Sequence, residues 1–379
     1  DPAVTISFKL KVGEEILSLT RPMIYKWTDQ VKGELWRPAE IVPPISVSLT
    51  EKVLIFSDEN PRDVNVKVES ASEIALHGNL TLQLPSGWRS EPASVPFELK
   101  ARGGERIVNF KLYPSKNEIT STLKGIAEVN GKTYDQAIQT IAYDHIPTQT
   151  LLPKAEAKLA RINLKSEGNQ IGYIRGAGDD IPTALRTMGY EVWEMRNDEV
   201  SLENLKRLDA IVLGIRALNV NERIRFVMPV LLEYVKLGGT VVVQYNTNGN
   251  IATDNFSPYP LKVSRERVTE EQAEVRILKP DHPVLNIPNK ITARDFEGWV
   301  QERGLYFPNE WDSNFEPILS MNDLGETPKE GGLLVAKYGE GYYIYTGLSF
   351  FRQLPEGVSG SYKLFANIVS LGKTKKPKS

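Results

Sequence analysis

The sequence predicts a multidomain fold, β in its first half and α/β in its second: a β-sandwich followed by a doubly wound, mostly parallel sheet. Three observations lead there. A chain of 379 residues is long enough for two or three domains, each able to bury its own core. Through the first half, apolar residues alternate with period two, which sets one face of a strand on a core and the other in water. Beyond Gly168, short apolar runs alternate instead with helix-spaced segments, the grammar of βαβ crossovers and a parallel sheet.

Taken in order, Val4, Ile6, Phe8, Leu10 and Val12 alternate before a turn at Gly13, and Ile16 to Tyr25 follows as a second strand. Two strands cannot close a sandwich, so residues 1–44 are expected to be a remnant or extension of a preceding β domain. Pro43-Pro44 ends it, because proline cannot donate to a ladder and restrains the residue before it. In residues 45–146, Val64, Val66 and Val68 alternate, as do Leu80, Leu82 and Leu84, then Val108, Phe110 and Leu112. Pro85-Ser86-Gly87 and Asn130-Gly131 mark turns, the second a strong hairpin signature. Several short strands between turns predict an immunoglobulin-like sandwich. Residues 147–168 read as a linker containing Pro, Lys and Ala.

The α/β domain is assigned to residues 169–372. Ile171 to Ile174 is a short apolar strand, Gly176-Ala177-Gly178 a turn, and Asp179 or Asp180 the cap of a helix running to Met188. Tyr190 to Glu194 and Ala210 to Leu213 supply further strands. Glu222 to Leu237 has helical spacing, Gly238-Gly239 ends it, and Thr240 to Gln244 is the next strand. Two strands flank Gly339-Glu340-Gly341, and Ser361 to Leu371 closes the domain as a helix. Residues 373–379 are a basic tail.

Composition excludes several classes of function. The formal net charge of -2 gives no footprint for a nucleic-acid partner. No apolar run approaches the roughly 20 residues of a membrane helix. The absence of cysteine removes disulfides, thiolate metal sites and any thiol nucleophile. The three histidines, His77, His145 and His282, lie far apart in sequence, so no metal site and no cofactor are expected. Gly176-Ala177-Gly178 lacks the third glycine of a dinucleotide fingerprint, Ile181 standing in its place. The chain opens on Asp1-Pro2 without an initiator Met, which suggests a processed piece of an exported, periplasmic or extracellular protein whose signal peptide lies elsewhere.

Resemblances sharpen this reading. Leu82 to Pro92 resembles the β-sandwich module found beside catalytic domains in bacterial carbohydrate-active enzymes. The α/β half is similar in element order to the class I glutamine amidotransferase-like fold, whose active members place a cysteine on the turn after a central strand. Here that turn reads Tyr245-Asn246-Thr247-Asn248-Gly249-Asn250, and neither phenol nor amide can form a thioester. Five stretches resemble the C-terminal region of large bacterial PIG-L (LmbE-like) deacetylases: Arg21 to Pro38, Gly214 to Asn219, Val243 to Thr247, Asp295 to Tyr306 and Tyr345 to Arg352. That resemblance implies a parent zinc-dependent N-acetylglucosamine deacetylase with its catalytic motif, Ala-His-Pro-Asp-Asp-Glu, in another domain. Asp281-His282-Pro283 is no substitute, since Val284 follows where the acidic pair should begin.

The chain is therefore expected to be no enzyme itself, but an accessory region that supports the catalytic domain of the same polypeptide and takes carbohydrate as a candidate ligand. Ligands of an open α/β sheet bind outside the carboxyl ends of its strands. The candidate binding residues there are Arg216, Asn219, Tyr245, Asn246, Asn248, Glu297, Trp299, Glu302 and Arg303; no catalytic residues are assigned. Amides offer paired donors and acceptors, and an indole face suits apolar sugar C–H surfaces. Each has a bland counterpart: asparagines cap turns, Trp299 fills a core, Glu302 and Arg303 pair. Arg352 stands beside Phe350 and Phe351, both expected in the core. Two rival readings are a stand-alone hydrolase working through Glu297 and Glu302, and a structural spacer.

Overall fold

The computed structural model describes residues 3–143 and 145–373. Residues 374–379 of the anticipated basic tail lie outside the described residues. The molecule is mostly β, with several separate sheets and few helices. It divides into two compact units, the first ending at Leu159 and the second beginning at Ala160 and taking in Ile55–Asp58 and Asn117–Ile119.

In the first unit the alternating sequences form strands as their pattern dictates. Arg62–Ser70 turns Val64, Val66 and Val68 inward and leaves Asn65 and Lys67 half-buried. One sheet has the order Ser94–Leu99, Leu76–Gln83, Ile119–Val129, Glu156–Arg161, Val53–Phe56, with Lys132–Tyr134 hairpinned onto Ile119–Val129. The second has the order Ile45–Leu49, Arg62–Ser70, Glu105–Tyr113, Arg89–Glu91. Val47, Val66, Val68 and Phe110 from one sheet share a core with Leu80, Phe97, Leu99 and Ala127 from the other, a β-sandwich of immunoglobulin-like kind. It reaches past residue 146: the anticipated linker contains the strands Gln149–Leu151 and Glu156–Arg161, and the latter pairs within the first sheet. Asn130-Gly131 makes the expected two-residue turn, both residues at positive φ, with Val129 opposite Lys132.

Residues 1–44 hold four strands rather than two. Thr5–Val12 pairs with Glu15–Pro22, and Ile24–Asp29 with Gly33–Pro38, each pair a separate two-stranded ladder. Register sets Phe8 opposite Leu19 and Leu10 opposite Leu17, and all four side chains are exposed.

The second unit is built on a seven-stranded mixed sheet in the order Glu191–Met195, Gln170–Ile174, Ala210–Leu213, Thr240–Val243, Gly341–Thr346, Leu333–Tyr338, Phe315–Pro317. The first five strands run parallel; Leu333–Tyr338 runs against them, and Phe315–Pro317 pairs antiparallel with Leu333–Tyr338. Ala210–Leu213 and Thr240–Val243 are buried at every position, which is why they read as unbroken apolar runs. Helix Ile224–Lys236 buries Ile224, Val227, Met228, Leu231, Tyr234 and Val235, a single stripe at helical spacing. Between Thr240–Val243 and Gly341–Thr346 the chain makes an excursion of short ladders, Leu261–Val268 with Gly304–Trp311 and Val275–Ile277 with Leu319–Met321, which the alternating grammar did not anticipate.

Candidate functional site

The loops that leave Ala210–Leu213 and Thr240–Val243 at their carboxyl ends are fixed by side chains spent on backbone. Asp179 is the first anchor. One carboxylate oxygen accepts from the Tyr173 hydroxyl at 2.6 Å and the Ile181 N–H at 3.1 Å, the other from the Ile215 N–H at 2.9 Å. Asp180 holds the N-cap position of Ile181–Thr187 but makes no side-chain cap bond. Gly176 lets the two loops touch, since a Cβ there would sit 2.0 Å from the Ile215 carbonyl oxygen. Arg216 is thereby held at φ 56, a left-handed conformation uncommon for such a residue, and its N–H donates to the Tyr245 carbonyl at 2.8 Å.

Asn246 is fully buried. Its Oδ1 accepts from the Leu218 N–H at 2.9 Å and its Nδ2 donates to the Gln244 carbonyl at 2.8 Å, while its own N–H donates to the Tyr345 hydroxyl at 3.2 Å. Asn219 works the same way across the loops, accepting from the Thr247 N–H at 2.9 Å and donating to the Thr247 and Gly249 carbonyls.

Above this frame lie aromatic rings and charge. Tyr245 stacks on Tyr306 with centroids 6.1 Å apart and planes within 9°, and meets Phe351 at 5.2 Å. Tyr306 too is left-handed, at φ 52, as is Gln301 at φ 66. Arg352 lies over the Phe351 ring at 4.9 Å, donates to Glu302 at 2.5 Å and also bonds the Gln301 side chain. Gln353, fully buried, accepts from the Val300 N–H and donates to its carbonyl, holding the turn that carries these residues. Burial pushes the Tyr245 phenol up, against the Arg216 and Arg352 guanidinium groups, which pull it down; Glu302 and Tyr306 add to the rise.

Of the nine residues anticipated from sequence, the structure brings Arg216, Tyr245 and Glu302 into this cluster. Asn219 and Asn246 belong to its frame, with amides engaged by backbone. Trp299 is a core residue, 2% exposed, packed on Phe296 and Phe350 and donating to the Asp295 carbonyl. Arg303 does not pair with Glu302. It is buried on the carbonyls of Ala273 and Phe296, and that burial pushes its guanidinium down to about 10. Asn248 and Glu297 are exposed. Phe350 is core as expected, but Phe351 is half-buried against Tyr245. Sequence reasoning missed Tyr306 and Asp179 as parts of the site. Tyr306 closes one of the stretches that carry the deacetylase resemblance, but its left-handed backbone leaves no mark in the residue string.

Among the described residues, no group of three or more His, Asp or Glu is placed to hold a metal. His282 caps a helical turn, accepting from the Val284 N–H at 3.1 Å, and burial lowers its basicity.

Four of those five stretches meet at this edge. Gly214 to Asn219 bonds Val243 to Thr247 through Arg216 and Asn246, and Tyr345 to Arg352 reaches both Tyr245 and Glu302. Asp295 to Tyr306 contributes Tyr306 and Glu302.

No protein-family profile matches the chain, and no curated protein matches it. Among solved structures it is similar to a protein described as a GMP synthase subunit from Thermoplasma acidophilum, at 13% identity over 54% of this chain and 96% of that one, with a TM-score of 0.37. It is also similar to a PapD-like domain of human CEP192, at 12% identity over 33% of this chain and 92% of that one, TM-score 0.21. A third is the exo-β-1,4-mannosidase Op5Man5 from Opitutaceae bacterium strain TAV5, at 11% identity over 52% of this chain and 36% of that one, TM-score 0.32. At such scores these likenesses carry no argument about family or activity.

Proposed function

We propose that this chain is a non-catalytic accessory region of a deacetylase-type polypeptide, and that it holds a saccharide at the carboxyl edge of a degenerate amidotransferase-like sheet. The observation that carries this reading is the Tyr245–Tyr306 stack, backed by Phe351, over whose ring the Arg352 guanidinium lies. Aromatic faces cover the C–H surfaces of a sugar ring while planar donors take its oxygens. The residues at the turn itself argue against chemistry. Asn246 has both ends of its amide engaged, and the Tyr245 phenol is kept protonated by burial, a poor nucleophile. Glu302 is paired with Arg352, and Glu297 is exposed outside the cluster, which disfavours the carboxylate-hydrolase alternative.

The test is calorimetric titration of the whole chain with a panel of neutral and acidic trisaccharides, N-acetylglucosamine trimer among them. Binding to at least one member is expected. Tyr306→Asn, chosen because asparagine tolerates the left-handed backbone, should weaken it by about tenfold, the scale of one lost aromatic contact. Turnover of any acetylated or glycosidic substrate that disappears in Glu302→Gln would replace this reading with the hydrolase.

A further inference from the structure

The arginines around this edge are not equivalent. Arg303 is satisfied by the carbonyls of Ala273 and Phe296. Arg352 is satisfied by Glu302 and Gln301. The Nε of Arg216, by contrast, is buried and has no hydrogen-bond partner. Two acids of the same edge are committed elsewhere, Glu302 to Arg352 and Asp179 to Tyr173, Ile181 and Ile215, while Asp180 is exposed. Arg216 as a whole is half-buried, and a guanidinium nitrogen taken out of water without an acceptor is unfavourable. The fold nevertheless holds Arg216 in place through the bonds of Ile215 to Asp179, of its own N–H to Tyr245 and of Leu218 to Asn246, and in a left-handed backbone. Unfavourable backbone and an unmatched buried donor at one residue, both over-determined by their surroundings, are the signature of a position kept for a ligand.

We infer that Arg216 anchors an oxyanion, so that the saccharide lying on Tyr245 and Tyr306 carries a carboxylate or a sulfate ester. This rests on the reading of the edge as a saccharide site. The planar fork of a guanidinium matches both groups, each offering two oxygens in one plane.

The experiment titrates the whole chain with three probes: trigalacturonate, a sulfated galactose trisaccharide and neutral galactotriose. At least one acidic probe is expected to bind about tenfold or more tighter than the neutral one, the scale of a charge-assisted bidentate pair, with an advantage that shrinks as salt is raised. Arg216→Asn, which suits the left-handed backbone, should erase the ratio of acidic to neutral affinity; Arg216→Lys should restore part of it. Whichever acidic probe wins identifies the anion. Equal affinity for all three probes, or an acidic advantage that survives Arg216→Asn, overturns the anchor. Neutral binding that is lost in Tyr306→Asn while charge makes no difference overturns the anchor alone and leaves the aromatic platform standing. Binding of no probe overturns both.

Discussion

Asn246 lies on the turn after the buried strand Thr240–Val243, and its side chain does a structural task. Replacing it with alanine strands the Leu218 N–H and removes a donor from the Gln244 carbonyl, both inside the fold. Asn246→Ala should therefore cost roughly 2–4 kcal/mol, since each buried group left unpaired costs about 1–3 kcal/mol. Urea unfolding would read the loss, and hydrogen exchange at Leu218 should quicken with it; an unchanged midpoint would show that the amide is dispensable. This residue also marks how far sequence reasoning reaches. Residue type reveals that Asn219 and Asn246 can donate and accept, but not whether backbone or ligand takes the bonds. Trp299 is the same case: an indole suits a sugar or a core, and only its packing on Phe296 and Phe350 decides. Arg216 draws attention in the sequence because it follows a buried strand by three residues, at the edge where α/β sheets place their ligands.

Elements were legible where their burial is one-sided or complete. The Val64, Val66, Val68 alternation and the unbroken Ala210–Leu213 run each map onto one kind of strand. Glu156–Arg161 escaped notice because its inward positions include two alanines, too small to register as a hydrophobic pattern, and it lies beyond Pro153. Leu261–Val268 escaped because its register against Gly304–Trp311 shifts repeatedly, and each bulge resets which residues face inward. The Asn130-Gly131 turn sits at the other extreme, since the dipeptide names its own geometry. Gly131 is at φ 74, and a Cβ added there would meet nothing within 4 Å. The cost of Gly131→Ala is then conformational alone, about 1 kcal/mol for a side chain forced into the left-handed region. Thermal unfolding of the sandwich should fall accordingly in Gly131→Ala and stay near wild type in Gly131→Asn. Equal losses in both would point to sterics and against the backbone argument.

At the scale of the whole molecule, buried phenols hold latent charge. The sequence has 15 tyrosines, and seven of them are buried in the second unit, among them the five Tyr173, Tyr190, Tyr234, Tyr343 and Tyr345. Each hydroxyl has a partner: Asp179, Ser370, and the carbonyls of Leu208 and Phe256 for the first four, and the Asn246 N–H for Tyr345. Burial pushes Tyr190 up to about 12 and the other four higher. The unfolded chain ionises these phenols from the ordinary value of 10.0 upward, so above that pH it binds fewer protons than the folded chain. Stability from this source is complete below pH 10 and is lost as pH rises through 10 toward 12 and beyond. Alkaline titration of the intact chain should therefore show the phenolate absorbance of these five tyrosines arriving together with the loss of secondary structure, in one cooperative and time-dependent step. Tyr190→Phe removes one such group and should move that step to higher pH, provided Ser370 keeps its second bond to Glu167. Smooth, independent ionisation of all 15 phenols with the far-ultraviolet signal intact would mean that this burial does not hold them protonated.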